Sequence, residues 1–281
     1  MDATLTRNGL NYNEYVFGDL FDSYLQVPNG RDPQQNAWLT IEIVYSIDFA
    51  DSKNRVAGLI FKDGDRYVAK DLDGKYVPVQ DWDMQSQMSF NRRFRSGESF
   101  WNHKFLLLTP KDYAHLDYES LGAGKLCRPN VLCLFRLRTV NNFRRESFTH
   151  LPLKVVRLAK DTSDDFRSSF RTYDSNDTDK TFYHELGHCL NQLHIRALLG
   201  DESCIYDDIN ADHCYDTPEG MEENVLGRGT ALDVVNAKPW LERIEKHTSI
   251  SKVKWIVTKG TDLPPRTMPL GFKDGLLPNY W

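Results

Sequence analysis

Two histidines and a glutamate, about two thirds of the way along the chain, have a spacing that suits metal chemistry. They lie in the stretch TFYHELGHCLNQLH, residues 181–194, whose first part is predicted to be helical. His184 and His188 are four residues apart, so on a helix both imidazoles project from the same face. Two imidazoles placed in this way can share one zinc ion at about 2.0–2.1 Å each. Glu185 follows the first histidine, where it can act as general base on a zinc-activated water.

A third ligand requires the helix to end, and His194 is the candidate. If the helix continued, His194 would lie about 15 Å along the axis from His184, too far to share an ion. Asn191 stands where the chain can turn, because asparagine tolerates the left-handed conformation that ends many helices. Three imidazoles leave a fourth position open for water, which is typical of catalytic rather than structural zinc.

The string HELGHCLNQLH resembles HExxHxxGxxH, the extended zinc signature of the metzincin clan of metalloproteases. The match carries His184, Glu185, His188 and His194, and Asn191 stands where the signature has glycine. The resemblance implies an α+β, zincin-like catalytic domain, with a twisted mixed sheet, an active-site helix and a C-terminal helix. It implies one catalytic zinc ion, a protein or peptide substrate, and hydrolysis of peptide bonds with Glu185 as general base.

The metzincin clan also places a methionine in a tight turn beneath the zinc. In this chain the segment NVLGRG, residues 224–229, resembles that turn, with Leu226 where the methionine is expected. Met221, five residues earlier than Leu226, is the second candidate. Both residues are apolar, so either is able to form the floor beneath the metal.

The elements that must position the histidines are mostly strands. Residues 38–49 are rich in β-branched and aromatic side chains, which predicts a long strand. Asp63-Gly64 and Asp73-Gly74 separate short apolar runs, which predicts a β-hairpin insertion over about residues 50–80. Residues 84–95 are predicted to form a helix. The apolar runs at 104–108, 131–140 and 153–158 are predicted to form strands.

Two helices complete the predicted domain. The active-site helix is expected over about residues 180–191, and a C-terminal helix that supports the floor over about 230–248, kinked at Pro239. An extended substrate would pair with an edge strand of the sheet. The segments 131–140 and 153–158 are candidates for that edge, and the alternative is that both are interior strands.

The domain boundaries follow from changes in composition. We expect residues 1–35 to form an N-terminal arm or extension, with a prosegment as an alternative. Residues 36–259 are predicted to form the metzincin-like metalloprotease domain. The segment 260–281 is rich in proline and glycine and is expected to be an extended tail.

Composition excludes several other classes of protein. Aromatic residues make up 12% of the chain, which argues against intrinsic disorder. The net charge of −5 gives no general electrostatic attraction to nucleic acid. No apolar run approaches the roughly 18 residues of a membrane span.

The chain starts without a signal-peptide pattern, so we expect a cytoplasmic protein or one exported by a leaderless route. Its oligomeric state is left open.

The region after the third histidine carries two cysteines and an acidic loop. Cys204 and Cys214 flank the loop and are either a disulfide that stiffens this region or two thiols, since no leader indicates an oxidising compartment. The stretch 208–219 has carboxylates at EF-hand-like offsets, but His213 stands where that loop needs glycine. We therefore expect an acidic surface loop, with a calcium-binding loop as the alternative. Tyr206 and Tyr215 follow the third histidine and either border the cleft or simply pack against their neighbours.

Two other hypotheses fit the same motif. One is a catalytically inactive, zinc-stabilised binding or structural module of the same fold. The other is a toxin-like effector protease exported without a cleaved signal peptide. Replacing Glu185 separates enzyme from module, because only an enzyme would lose its function while it keeps its zinc.

Overall fold

The computed structural model describes most of the chain. The described residues are 6–7, 10–11, 15–26, 36–55, 59–70, 75–113, 116–119, 126–140, 149–159, 172–175, 177–207 and 211–259. The predicted tail 260–281, the Asp73-Gly74 turn, and Asp208 and Asn210 of the acidic loop lie outside these residues.

The described residues form fifteen strands, four α-helices and four shorter helical turns. The strands are β1 (Thr6–Arg7), β2 (Leu10–Asn11), β3 (Tyr15–Val16), β4 (Asp22–Gln26), β5 (Ala37–Ala50), β6 (Ile60–Asp63), β7 (Arg66–Lys70), β8 (Tyr76–Pro78), β9 (Phe105–Leu108), β10 (Tyr118–Glu119), β11 (Leu126–Cys127), β12 (Val131–Thr139), β13 (Leu151–Val156), β14 (Thr172–Asp174) and β15 (Ile256–Lys259). The helices are α1 (Met84–Trp101), α2 (Asp179–Cys189), α3 (Ile195–Leu198) and α4 (Lys238–Thr248). A π-helical turn covers Ser203–Asp207, and 3₁₀ turns cover Asp212–Tyr215, Val234–Ala237 and Lys252–Lys254.

The chain divides into two compact units, which are described in turn. The first contains the described parts of 1–42, 101–136 and 194–281, and the second those of 43–100 and 137–193. Strands pair antiparallel in the first unit, and both parallel and antiparallel in the second. The fold class is therefore α+β with mixed strand pairing, as the sequence predicts.

In the first unit, β4 pairs with β3 and with the start of β5, and β9 pairs with β12 and β15. Helix α4 is anchored by Trp240, whose ring centroid lies 5.6 Å from that of Phe105 on β9. The Trp240 indole N–H donates to the carbonyl of Leu134 on β12 at 3.0 Å. One buried aromatic residue thus holds the helix against two strands.

In the second unit, β13 runs parallel to β5 on one side and to β14 on the other. Helix α2 is held there by Phe182, whose ring lies 5.4 Å from Phe90 and 5.8 Å from Phe94 of α1, and 5.5 Å from Tyr173 of β14. Gly97 of α1 lies against Leu186 of α2, and a methyl group there would collide with that side chain. This aromatic cluster fixes the helix that carries the first two histidines.

The region predicted as a hairpin insertion contains the antiparallel sheet β6–β7–β8. The turn between β6 and β7 contains Gly64, whose φ of 57° suits glycine. Ala69 of β7 packs with Ala50 and Val156, so the small sheet shares a core with the ends of β5 and β13.

Three expectations about the helices are wrong. The C-terminal helix starts at Lys238, not near residue 230, and Pro239 lies in its first turn without kinking it. Proline favours that place because the first helical N–H groups have no intrahelical partner. Helix α1 also continues to Trp101 instead of ending near residue 95.

The two candidate edge strands are interior. Strand β13 lies between β14 and β5. Strand β12 has β9 on one side and β5 on the other, where Ala37 N–H donates to Asn130 and Val140 N–H donates to Tyr45. Strand β13 is thus paired on both sides. The pairing of β12 with β9 covers only Val131 and Leu132, and beyond it the N–H groups of Phe135 and Leu137 donate to the side chains of Asn102 and Glu98. Among the described residues, the structure contains no helix with the length and apolarity that crossing a bilayer requires.

Candidate metal centre

Helix α2 carries signals for both of its ends. At the start, the hydroxyl of Thr178 accepts the Thr181 N–H at 3.4 Å, and Asp179 places a negative charge in the first turn. At the end, Asn191 has a φ of 60°. The Asn191 N–H donates to His188 at 2.9 Å and the Gln192 N–H to Gly187 at 3.1 Å. This pair of bonds is a Schellman motif, and it turns the chain at Asn191, three residues before His194.

The turn brings three imidazoles together. One ring nitrogen from each of His184, His188 and His194 lies within 4.8 Å of the other two. The Nε2 atoms of His184 and His188 are 3.1 Å apart, with the rings nearly perpendicular at 83°. Ligands at about 2.0–2.1 Å in a tetrahedral zinc site stand about 3.3 Å apart. The group therefore has the donor atoms and the spacing to bind a metal ion.

The second histidine is held in one orientation by the main chain. His188 Nδ1 lies 2.8 Å from the carbonyl oxygen of Gln192, to which it donates in the tautomer that leaves Nε2 as an acceptor. A backbone carbonyl on the far nitrogen is a common outer partner of a metal-binding histidine. The helix-ending turn thus also orients a ligand.

Glu185 is partly buried and directly follows His184, the first candidate ligand. Burial, and secondarily the negative charge of Asp177, raise the pKa of the Glu185 carboxyl to about 8. The Asp177 carboxylate accepts the N–H of Asp174 at 2.8 Å, which keeps it in place. Its place on α2, directly after His184, makes this carboxyl a candidate proton acceptor for a water at the histidine group.

The segment after His194 is hydrogen-bonded to the turn at residues 224–229, which resembles the metzincin methionine turn in sequence. The Ile195 N–H donates to the carbonyl of Leu226 at 3.0 Å, and Leu226 is fully buried. Met221 is only half-buried, and its N–H donates to Pro218 in a preceding turn. Of the two candidates, Leu226 is the one bonded next to the third histidine.

Asn224 holds this turn together, a role that sequence reasoning missed. Its Oδ1 accepts the Leu226 N–H at 2.9 Å, and its Nδ2 donates to Asn236 Oδ1 at 2.8 Å. The side chain is fully buried. The sequence contains a signal for this role, because asparagine side chains often accept the main-chain N–H two residues later, here that of Leu226.

A second group of candidate ligands lies after α3. Cys204 and Cys214 form a disulfide, with their Cα atoms 5.6 Å apart. The ring of His213 is close to both cysteines, and its Nε2 lies 3.2 Å from Ser203 Oγ. Because thiolates are the metal ligands of cysteine, the disulfide prevents these sulfurs from binding an ion. In the acidic loop, Asp216 pairs with Arg228 at 3.6 Å, and its assignment as a surface loop rather than a calcium-binding loop stays a prediction.

Comparison of the chain with protein-family models, with curated proteins and with solved structures finds no match. The resemblance to the metzincin clan therefore depends on the chain's own residues. The three histidines and Glu185 carry it in the sequence. The close approach of the ring nitrogens in the structure bears on metal binding and not on the family.

Proposed function

We propose that this protein is a zinc-dependent endopeptidase of metzincin-like architecture. The observation that carries the proposal is the approach of the ring nitrogens of His184, His188 and His194 to within 4.8 Å, with Glu185 beside the first. Three imidazoles favour zinc over calcium or magnesium, which prefer oxygen ligands. When bound, zinc would acidify a water molecule and polarise the carbonyl of the substrate.

Glu185 has the proton-transfer role in this proposal. It takes a proton from the attacking water while the water oxygen forms a bond to the carbonyl carbon. As the C–N bond breaks, Glu185 delivers that proton to the amine nitrogen and returns to its starting state. The position of Glu185 on α2, directly after His184, supports this role.

Metal content tests the first half of the proposal. Elemental mass spectrometry of the purified chain should give one zinc per chain, and His194→Ala should lose most of it. The matched control is His213→Ala, which removes an exposed histidine beside the disulfide and should leave zinc unchanged. A wild-type chain without zinc, even after zinc is added back, would contradict the metal centre.

Peptide hydrolysis tests the second half. Glu185→Gln keeps the volume of the side chain but removes its basicity, so kcat/KM on a quenched fluorescent peptide library should fall at least about 100-fold. Zinc content should stay at one per chain. The control is Glu202→Gln, at an exposed position after α3. A wild-type chain that binds zinc but cleaves nothing would instead support an inactive, zinc-stabilised module.

A further inference from the structure

The third histidine is in contact with an aromatic ring from later in the chain. The ring centroids of His194 and Tyr215 are 3.8 Å apart, with their planes tilted by 37°. His194 is 5% exposed, so its ring is enclosed by protein on most sides. A stacked ring limits how far an imidazole can rotate, and it therefore restricts where the ring nitrogen points.

The Cys204–Cys214 disulfide lies directly beside Tyr215 in the sequence. Cys214, its neighbour, is bonded to Cys204 across ten residues of chain. Cys204 follows α3 closely, since its N–H donates to Asp201 at 3.2 Å and the Asp201 N–H donates to Arg196 at 3.0 Å. The disulfide thus connects the end of α3, which begins directly after His194, to the residue before the stacked tyrosine.

The backbone of Tyr215 is confined on another side by the turn at 224–229. A methyl group on Gly227 would lie 2.8 Å from the Tyr215 carbonyl oxygen and 3.3 Å from Ile195 Cγ2. Gly227 therefore permits a close approach between this turn, the tyrosine and the start of α3. The hydrogen bond from Ile195 to Leu226 joins two of these segments, the start of α3 and the turn.

We propose that Tyr215 is a positioning residue for His194, and that the Cys204–Cys214 disulfide keeps Tyr215 in place. This inference rests on the proposed metal site. The tyrosine ring holds the imidazole ready for the metal, and the disulfide prevents the segment around Tyr215 from moving away from α3. Cleavage of the disulfide then weakens metal binding without removing any ligand.

The first test compares metal affinity in tyrosine variants. Tyr215→Leu keeps an apolar side chain but removes the aromatic face, and it should weaken zinc binding about 10-fold, as removal of an outer-shell partner commonly does. Tyr215→Phe keeps the ring and should bind zinc like the wild type. The control is Tyr206→Leu, since Tyr206 is 79% exposed in the neighbouring helical turn. Zinc affinity is measured by competition with a chromophoric chelator.

A spectroscopic readout separates positioning from general stability. Cobalt(II) replaces zinc, and its visible absorption bands report the geometry of the ligands. The bands should change in Tyr215→Leu and be restored in Tyr215→Phe. Thermal unfolding in the presence of a chelator measures the stability of each variant without metal. If Tyr215→Leu leaves both the affinity and the cobalt bands as in the wild type, the positioning role is wrong.

The disulfide is tested by the double variant Cys204→Ala, Cys214→Ala. It should weaken zinc binding to a similar extent, about 10-fold. Adding Tyr215→Leu to it should cause little further loss, because both changes remove the same constraint. Fully additive losses would show that the disulfide acts elsewhere, and an unchanged affinity in the double variant would overturn its role.

These outcomes are distinguishable from failure of the proposed function. A wild-type chain that binds neither zinc nor cobalt overturns both proposals. A wild-type chain that binds zinc through His194, with affinity unaffected by Tyr215→Leu and by loss of the disulfide, overturns only this inference.

Discussion

Asn224 bonds both to the main chain of Leu226 at 2.9 Å and to the side chain of Asn236 at 2.8 Å. The first bond shapes the turn whose Leu226 carbonyl accepts the Ile195 N–H. The second links that turn to the residues just before α4. A single buried amide therefore connects the closing helix with the segment that follows the third histidine.

Replacing this amide should destabilise the protein. Asn224→Ala leaves the buried Leu226 N–H and the Asn236 oxygen with one partner fewer, at about 1–3 kcal/mol each. We expect the free energy of unfolding, measured by urea denaturation with chelator present, to fall by several kcal/mol. Glu223→Ala, at the exposed neighbouring side chain, should cost little. Equal stability of the two variants would contradict the role of Asn224.

Asn191, the left-handed residue that follows α2, gives different expectations for replacement by alanine and by glycine. Asn191 has a φ of 60°, where alanine is strained by about 1–2 kcal/mol and glycine is not. Asn191→Ala should lower the free energy of unfolding and weaken zinc binding, because the turn that leads to His194 is strained. Asn191→Gly should keep zinc affinity near that of the wild type. If alanine and glycine behave alike in the chelator competition, the turn is not what places His194.

At the centre of the 224–229 turn, we expect the volume of the side chain to matter more for stability than the presence of a sulfur atom. Leu226 is fully buried, so Leu226→Ala should cost about 2–5 kcal/mol of unfolding free energy. Leu226→Met conserves volume and should cost less than about 1.5 kcal/mol. Met221→Ala, at a half-buried side chain, should cost less than Leu226→Ala. Denaturant midpoints check this order, and a larger loss for Met221→Ala would reverse the assignment.

Acid should destabilise the protein through His247. Burial, and secondarily the positive charge of Arg243, lower the pKa of this imidazole to about 4, while Ser23 Oγ lies 3.1 Å from its Nε2. The unfolded chain, with a histidine pKa near 6.5, binds more protons than the folded chain between these values. This contribution is therefore complete above about pH 6.5 and is lost as the pH falls towards 4, by up to about 3 kcal/mol.

The His247 prediction is checked with urea denaturation between pH 4.5 and pH 7.5, on wild type and His247→Gln. Glutamine is uncharged throughout this range, so the variant should show a shallower loss of stability on acidification. His213→Gln, at an exposed histidine, is the matched control for the loss of one imidazole. Parallel pH profiles for wild type and His247→Gln would exclude this histidine as the cause.

Features that depend on neighbours in the sequence were predictable. The four-residue spacing of His184 and His188 on α2 follows from helical geometry alone. The turn at Asn191 depends on one residue type, and the strand β5 on a run of β-branched and aromatic residues. In each case the backbone geometry of a few consecutive residues decides the result.

Contacts between distant segments were decided only by the tertiary structure. The stacking of Tyr215 on His194 and the bond from Ile195 to Leu226 join residues that are 21 and 31 positions apart. Such contacts depend on how whole segments pack, because no local pattern determines which buried surfaces meet. The same holds for β12 and β13, whose apolar runs suit an edge or an interior strand equally until their partners on both sides are known. The amino-acid sequence by itself thus determined the candidate ligands and their local spacing, whereas long-range packing decided which side chains surround His194.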